Sequence, residues 1–109
     1  MHDFIVNKQI LKDLGDISEE KYLSYVRRFL DAALKTLSKF YDSCAARNKQ
    51  EMLFFTHDLK GEALNWGLRS VADRIIALEG VVKRDEYVKI NEELQRVTQE
   101  IASLKNEVS

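Results

Sequence analysis

The sequence predicts an all-α protein, an antiparallel four-helix bundle with a short N-terminal helix capping one end. Apolar residues recur at steps of three and four along nearly all of the 109 residues, which places them on one side of an α-helix. The chain has no proline and only four glycines, too few turn-forming residues for a β-sandwich or barrel. Four long amphipathic helices joined by short connections bury their apolar sides against one another.

The first two helices are separated by a glycine and a predicted cap. The N-terminal helix is expected from Phe4 to Leu14, with Gly15 ending it. Residues 16–19 offer a capping box that begins at Asp16, with Ser18 as a competing cap. The second helix is expected over about residues 19–46. Its apolar stripe consists of Tyr22, Val26, Phe29, Ala33, Leu37, Phe40 and Cys44.

The remaining three helices follow from caps and periodicity. Asn48 and Glu51 form a capping box that opens a third helix, which ends near residues 66–67. The fourth helix is expected over about 68–82, with Val71, Ile75, Leu78 and Val82 on one side. Asp85 is predicted to cap the fifth helix. That helix has the strongest periodicity of the chain, carried by Tyr87, Ile90, Leu94, Val97, Ile101, Leu104 and Val108.

Composition excludes several classes of protein. The chain has 17 basic and 18 acidic side chains, a net charge of −1, whereas nucleic-acid and membrane-surface binding need a basic surplus. No segment is apolar enough to span a membrane, and the N-terminus lacks a secretory pattern. The single cysteine, Cys44, rules out an internal disulfide or a multi-cysteine zinc site. We therefore expect one domain over residues 1–109, in a reduced, cytoplasmic setting, with no metal or cofactor site of its own.

The third helix has two apolar faces instead of one. Its predicted core side consists of Met52, Phe55, Thr56, Leu59, Ala63 and Trp66. The other side carries His57, surrounded by Leu53, Phe54, Lys60, Gly61 and Leu64. Apolar residues on the outer side of a bundle helix indicate a docking surface. As an alternative, Leu53, Phe54 and Leu64 pack under the N-terminal segment or at a self-association contact.

His57 is the candidate reactive group on this face. Imidazole titrates near neutral pH, so a neutral ring nitrogen is available to accept a phosphoryl group. Lys60 follows one turn later and could offset part of the charge of that group. Gly61 costs about 1 kcal/mol relative to alanine inside a helix, which indicates that access to His57 is favoured over helix stability. The ordinary alternatives are an incidental histidine and a solvated lysine.

The stretch from His57 to Gly67 resembles the signature of histidine-containing phosphotransfer (HPt) domains of two-component phosphorelays. The matching residues are His57, Leu59, Lys60, Gly61, Asn65 and Gly67, followed by Ala72, Leu78 and Glu79 in the next helix. The resemblance implies that His57 is the phosphoacceptor, that Lys60 helps to hold the phosphoryl group and that Gly67 closes the helix.

The resemblance also implies partners. They are response-regulator receiver domains, which would supply the Mg²⁺, and a hybrid sensor histidine kinase; the chain itself would carry phosphoryl groups without kinase activity. Leu53, Phe54, Gly61 and Leu64 would form the docking surface of a monomer. Asp58 and Glu62 depart from the common pattern. Two alternatives remain: a helical adaptor without chemistry, and the dimeric phosphoacceptor domain of a histidine kinase.

Overall fold

The computed structural model describes residues 6–108, and over this range the protein is helical without strands. Its five helices are α1 (Lys8–Asp13), α2 (Glu19–Ala45), α3 (Lys49–Asn65), α4 (Arg69–Lys83) and α5 (Tyr87–Val108). The helix expected at about 19–46 ends one residue earlier, and the helix expected at about 68–82 is shifted by one residue at both ends. The first helix begins later than the sequence predicted, and Phe4 lies outside the described residues.

Side-chain caps decide where the first three helices begin. Asn7 opens α1 by accepting a hydrogen bond from the backbone N–H of Gln9. Ser18 opens α2 in the same way, at 3.1 Å from the nitrogen of Lys21, so the predicted cap at Asp16 is wrong. Asp16 instead has a positive φ of 58° in the preceding turn. The capping box of α3 is as predicted, because Asn48 accepts from the Glu51 N–H and donates to the Glu51 carboxylate.

The three turns between the long helices share one backbone geometry. In each, the second residue after the helix has a positive φ: 55° at Arg47, 72° at Gly67 and 56° at Asp85. The two N–H groups that follow the C-cap donate to carbonyls three and five residues earlier, which is the Schellman arrangement that ends many helices. Asp85 therefore ends α4 and does not cap α5, contrary to the sequence prediction, and Glu86 directly precedes α5.

The four long helices enclose one hydrophobic core. Helix α2 packs on α3 and α5, and α4 also packs on α3 and α5, so that each long helix contacts two others. The predicted stripes of α4 and α5 are buried except at Tyr87, which is half-buried. On α2 the last position of the predicted stripe, Cys44, is half-buried and packs against the core, and its neighbour Ser43 is buried. Ile10 and Leu11 of α1, together with Leu14 directly after it, pack against this core.

Polar contacts between helices hold their ends together. Lys49 at the start of α3 donates to the Lys83 carbonyl at 3.1 Å and pairs with Asp85. Arg27 donates to the backbone carbonyl of Val108 at 2.7 Å, which satisfies an otherwise free acceptor at the end of α5. Within residues 6–108, no helix is long and apolar enough to cross a membrane.

Candidate functional site

His57 lies near the middle of α3 with its side chain exposed to solvent. The buried side of α3 is formed by Met52, Thr56, Leu59 and Ala63. Because successive residues turn by about 100° around a helix, His57 points away from that side. The hydrogen bonds, ion pairs and ring contacts among the described residues do not involve its imidazole. Both ring nitrogens are therefore open to a reactant that arrives from outside.

Gly61 leaves free space one turn after His57. A Cβ atom built on Gly61 would have no atom within 4 Å outside its own stretch of helix. The backbone φ at Gly61 is not positive, so the turn geometry does not require glycine there. The feature that distinguishes Gly61 is the absence of a side chain beside the imidazole.

Two of the three apolar residues predicted around His57 are exposed. Phe54 is 65% exposed and Leu64 is 44% exposed, while Leu53 is half-buried and packs against the core. The Phe54 ring meets Phe55 edge-on at a centroid distance of 5.7 Å. Phe54 lies three residues before His57 and Leu64 seven residues after it, so both share its side of α3.

The sequence analysis did not identify Ile76 of α4 as exposed, although its side chain is 46% exposed. Ile76 precedes Glu79 by three residues and so lies on an adjacent part of the α4 surface. Glu79 in turn contacts α3 through Lys60. A signal was present in the sequence: Ile76 follows Ile75 directly, and consecutive helical residues point about 100° apart, so Ile76 lies away from the predicted stripe that contains Ile75.

Lys60 is engaged by a residue of α4. Its ammonium group lies 3.0 Å from the Oε1 atom of Glu79, and Lys83 lies 3.7 Å from the same oxygen. Glu79 is only 8% exposed. The Lys60 side chain is therefore drawn toward the α3–α4 contact. The sequence contained one sign of this pair: the spacing of Glu79 from Ile75 and Val82 places an acidic residue on the buried side of α4.

Gly67 ends α3 at a position where glycine avoids backbone strain. Its φ is +72°, and an added Cβ would lie 2.5 Å from Cδ1 of Ile10, so a side chain would be strained and would meet α1. The preceding carbonyl, that of Trp66, accepts a hydrogen bond from the Tyr22 hydroxyl. The Trp66 ring stacks on Tyr25 at 5.6 Å. These contacts join the end of α3 to α2.

The remaining candidate residues are Asp58, Glu62 and Cys44. Asp58 and Glu62 are exposed. Burial raises the pKa of the Cys44 thiol, and the nearby Arg47 opposes this only in part, so Cys44 is a poor nucleophile. Within residues 6–108, no group of three or more histidine, cysteine or acidic side chains is arranged to hold a metal ion.

No family model, curated protein or solved structure matches this chain.

Proposed function

We propose that the protein is a phosphorelay carrier that accepts a phosphoryl group on His57 from a receiver-domain aspartate and passes it to another. The observation that carries this proposal is the exposed imidazole of His57 in mid-helix beside the open space at Gly61. The HPt-like signature from His57 to Gly67 supports it independently. The chain would act without kinase activity.

The proposal includes an antiparallel four-helix bundle as the scaffold. Each pair of consecutive long helices is joined by three residues, 46–48, 66–68 and 84–86, and connections this short favour antiparallel neighbours. In such a bundle His57 would be displayed on the side of a rigid helix. A rigid helix fixes the position of the His57 backbone, which reduces the entropic cost of in-line attack.

The transfer step balances without a further reactant. The lone pair of a neutral imidazole nitrogen attacks the phosphorus of the receiver's aspartyl phosphate, and an N–P bond forms. The O–P bond breaks and the aspartate leaves as a carboxylate with that electron pair. The proton on the other ring nitrogen stays on the ring. Onward transfer reverses these events on a second receiver, and the Mg²⁺ expected on the receiver would supply charge neutralisation for the phosphoryl oxygens.

Receiver docking would use the exposed apolar residues as its centre. Phe54 and Leu64 would be buried by the partner, Gly61 would allow its surface to approach, and Leu53 would support them from the core side. Such a complex is transient, at the low end of the usual range of about 1,200–2,000 Å² of buried surface. Asp58 and Glu62 would affect which receiver binds, since charges at the rim of an interface govern association rate and specificity.

The test is labelling of the purified protein with phosphorylated receiver domains from the same source, and with phosphoramidate as a partner-independent donor. We expect one acid-labile, base-stable phosphate per chain. His57→Gln should abolish the label and leave the helical circular dichroism unchanged. His2→Gln, the matched control, should be labelled like the original protein. Label that persists in His57→Gln would overturn the proposal.

A helical adaptor without chemistry is the second candidate, and the exposure of Phe54 and Leu64 favours it because such residues bind partners without any reaction. The two candidates differ in one result. An adaptor would bind its partner equally well as the original protein and as His57→Gln, and neither would carry phosphate after incubation with phosphorylated receivers.

A further inference from the structure

Glu79 is an acidic residue at a core position of α4. It lies four residues after Ile75 and three before Val82, both of which are buried, and is itself 8% exposed. Burial of a carboxylate costs free energy unless charged or hydrogen-bonding partners compensate. Its presence here therefore depends on the groups that face it.

Two lysines face Glu79, and one of them comes from the helix that carries His57. Lys60 Nζ donates to Glu79 Oε1 at 3.0 Å from α3, and Lys83 Nζ lies 3.7 Å from the same atom. The Lys60 side chain is 25% exposed and that of Lys83 is 63% exposed. The three side chains together carry one net positive charge, and Glu79 offsets one of the two ammonium charges.

This cluster is next to the proposed phosphoryl site. Lys60 follows His57 by three residues, and residues at this spacing are neighbours on a helix surface, with Cβ atoms about 5–6 Å apart. A phosphoryl group carries between about one and a half and two negative charges near neutral pH. A group bound to His57 would therefore be attracted by both lysines and repelled by Glu79.

We propose that Glu79 is a positioning residue that holds Lys60 at the α3–α4 contact and offsets its charge, so that phosphohistidine at His57 stays weakly held and readily transferable. This inference rests on the proposed function. The partly buried Glu79 carboxylate would thus determine how readily the phosphoryl group leaves His57.

Glu79→Gln separates charge from shape. The amide oxygen can still accept a hydrogen bond from Lys60, so the lysine keeps its place, but the net charge of the cluster rises from one to two. The added charge stabilises the phosphoryl dianion more than the loose, metaphosphate-like transition state of its departure, in which charge is spread out. The variant should therefore hold the phosphoryl group longer.

The experiment measures the half-life of phosphohistidine after labelling with phosphoramidate, followed by ³¹P NMR or intact mass. We expect Glu79→Gln to lengthen the half-life about threefold or more at low salt. The difference should shrink at high salt, because the screening length falls from about 30 Å at 0.01 M to about 3 Å at 1 M. A merely structural role for Glu79 would not give this salt dependence.

Two further variants complete the design. Lys83→Gln removes a cation from the cluster and should shorten the half-life, and it tests the inference even if Glu79→Gln folds poorly. Glu92→Gln makes the same charge change at an exposed position of α5 and should leave the half-life unchanged. Equal half-lives in the original protein, Glu79→Gln and Lys83→Gln would overturn this inference alone, whereas failure of the original protein to be labelled would overturn the proposed function.

Discussion

Gly61 is a position where the fold and the proposed function make opposite demands. Glycine inside a helix costs about 1 kcal/mol relative to alanine, and an added Cβ at Gly61 would meet no neighbouring atom. Folding alone would therefore favour a larger residue. The cost of keeping glycine is explained if the open space beside His57 is used by a partner.

Gly61→Leu should accordingly raise the free energy of unfolding by about 0.5–1 kcal/mol, because leucine is a better helix former. The same variant should slow phosphoryl transfer from a receiver at least about tenfold, since the larger side chain obstructs the approach to the imidazole. Urea denaturation and stopped-flow transfer assays measure the two effects. Ala102→Leu adds similar bulk on the exposed side of α5 and should change neither quantity markedly; original-rate transfer by Gly61→Leu would contradict the role of the open space.

At the scale of single residues, the sequence predicts which side of its helix a residue occupies better than it predicts which residue of another helix it contacts. The spacing of α3 separated His57 from the buried residues, because side-chain direction around a helix follows from residue number. The pairing of Lys60 with Glu79 could not be read in this way. It joins residues 19 apart on two helices, so it depends on how α3 and α4 are aligned along each other, which local periodicity does not determine.

The three turns between the long helices share one left-handed backbone position, and the residues at that position differ in the steric cost of adopting it. Gly67 adopts a positive φ without a steric penalty, whereas Arg47 and Asp85 adopt theirs with a side chain present. Glu86 follows Asp85, and its pKa is lowered by hydrogen bonds from Arg84 and Lys89. At Gly67 the side chain of Ile10 occupies the space where a Cβ would lie.

Gly67→Ala should lower the free energy of unfolding by about 1–2 kcal/mol through backbone strain, with an additional loss because Ile10 must move. Urea denaturation measures both parts in a double-mutant cycle with Ile10→Ala, in which the additional loss should disappear. Gly15→Ala is the matched control, since Gly15 also has a positive φ of 91° but open space around it. Equal losses for Gly67→Ala with and without Ile10→Ala would show that the contact with α1 is unimportant.

Capping residues show how far helix ends can be predicted. Asn48 and Glu51 form the capping box that their spacing indicates. Asp16 and Ser18 both fitted the start of α2, and the choice between them depended on the turn after α1, where Asp16 takes a positive φ. Asp85 was assigned to the wrong helix for the same reason. A short acidic side chain suits both a cap and a left-handed turn position.

At the scale of the whole molecule, one chain supplies the entire core of residues 6–108. All four long helices contribute buried apolar residues to one cluster. The all-helical class was predictable because every long segment repeats with the helical period. Which helices touch was not, since the ring of contacts from α2 through α3, α4 and α5 depends on tertiary packing.

We expect the protein to be a monomer from micromolar to submillimolar concentration, as measured by size-exclusion chromatography with light scattering. A dimer that forms with increasing concentration would contradict this expectation and the proposed single-chain four-helix scaffold. Phe54→Ser would then show where the dimer forms. Loss of the dimer in that variant would assign the exposed side of α3 to self-association.

The exposure of His57 has a consequence for timing. The His57 side chain is exposed to solvent, so a phosphoryl group placed there by the proposed reaction would be open to spontaneous hydrolysis. The fraction of phosphoryl groups that reaches a receiver would then depend on the rate of hydrolysis relative to the rate of encounter with that receiver. A higher concentration of the receiving partner would therefore increase the fraction that is transferred before it hydrolyses.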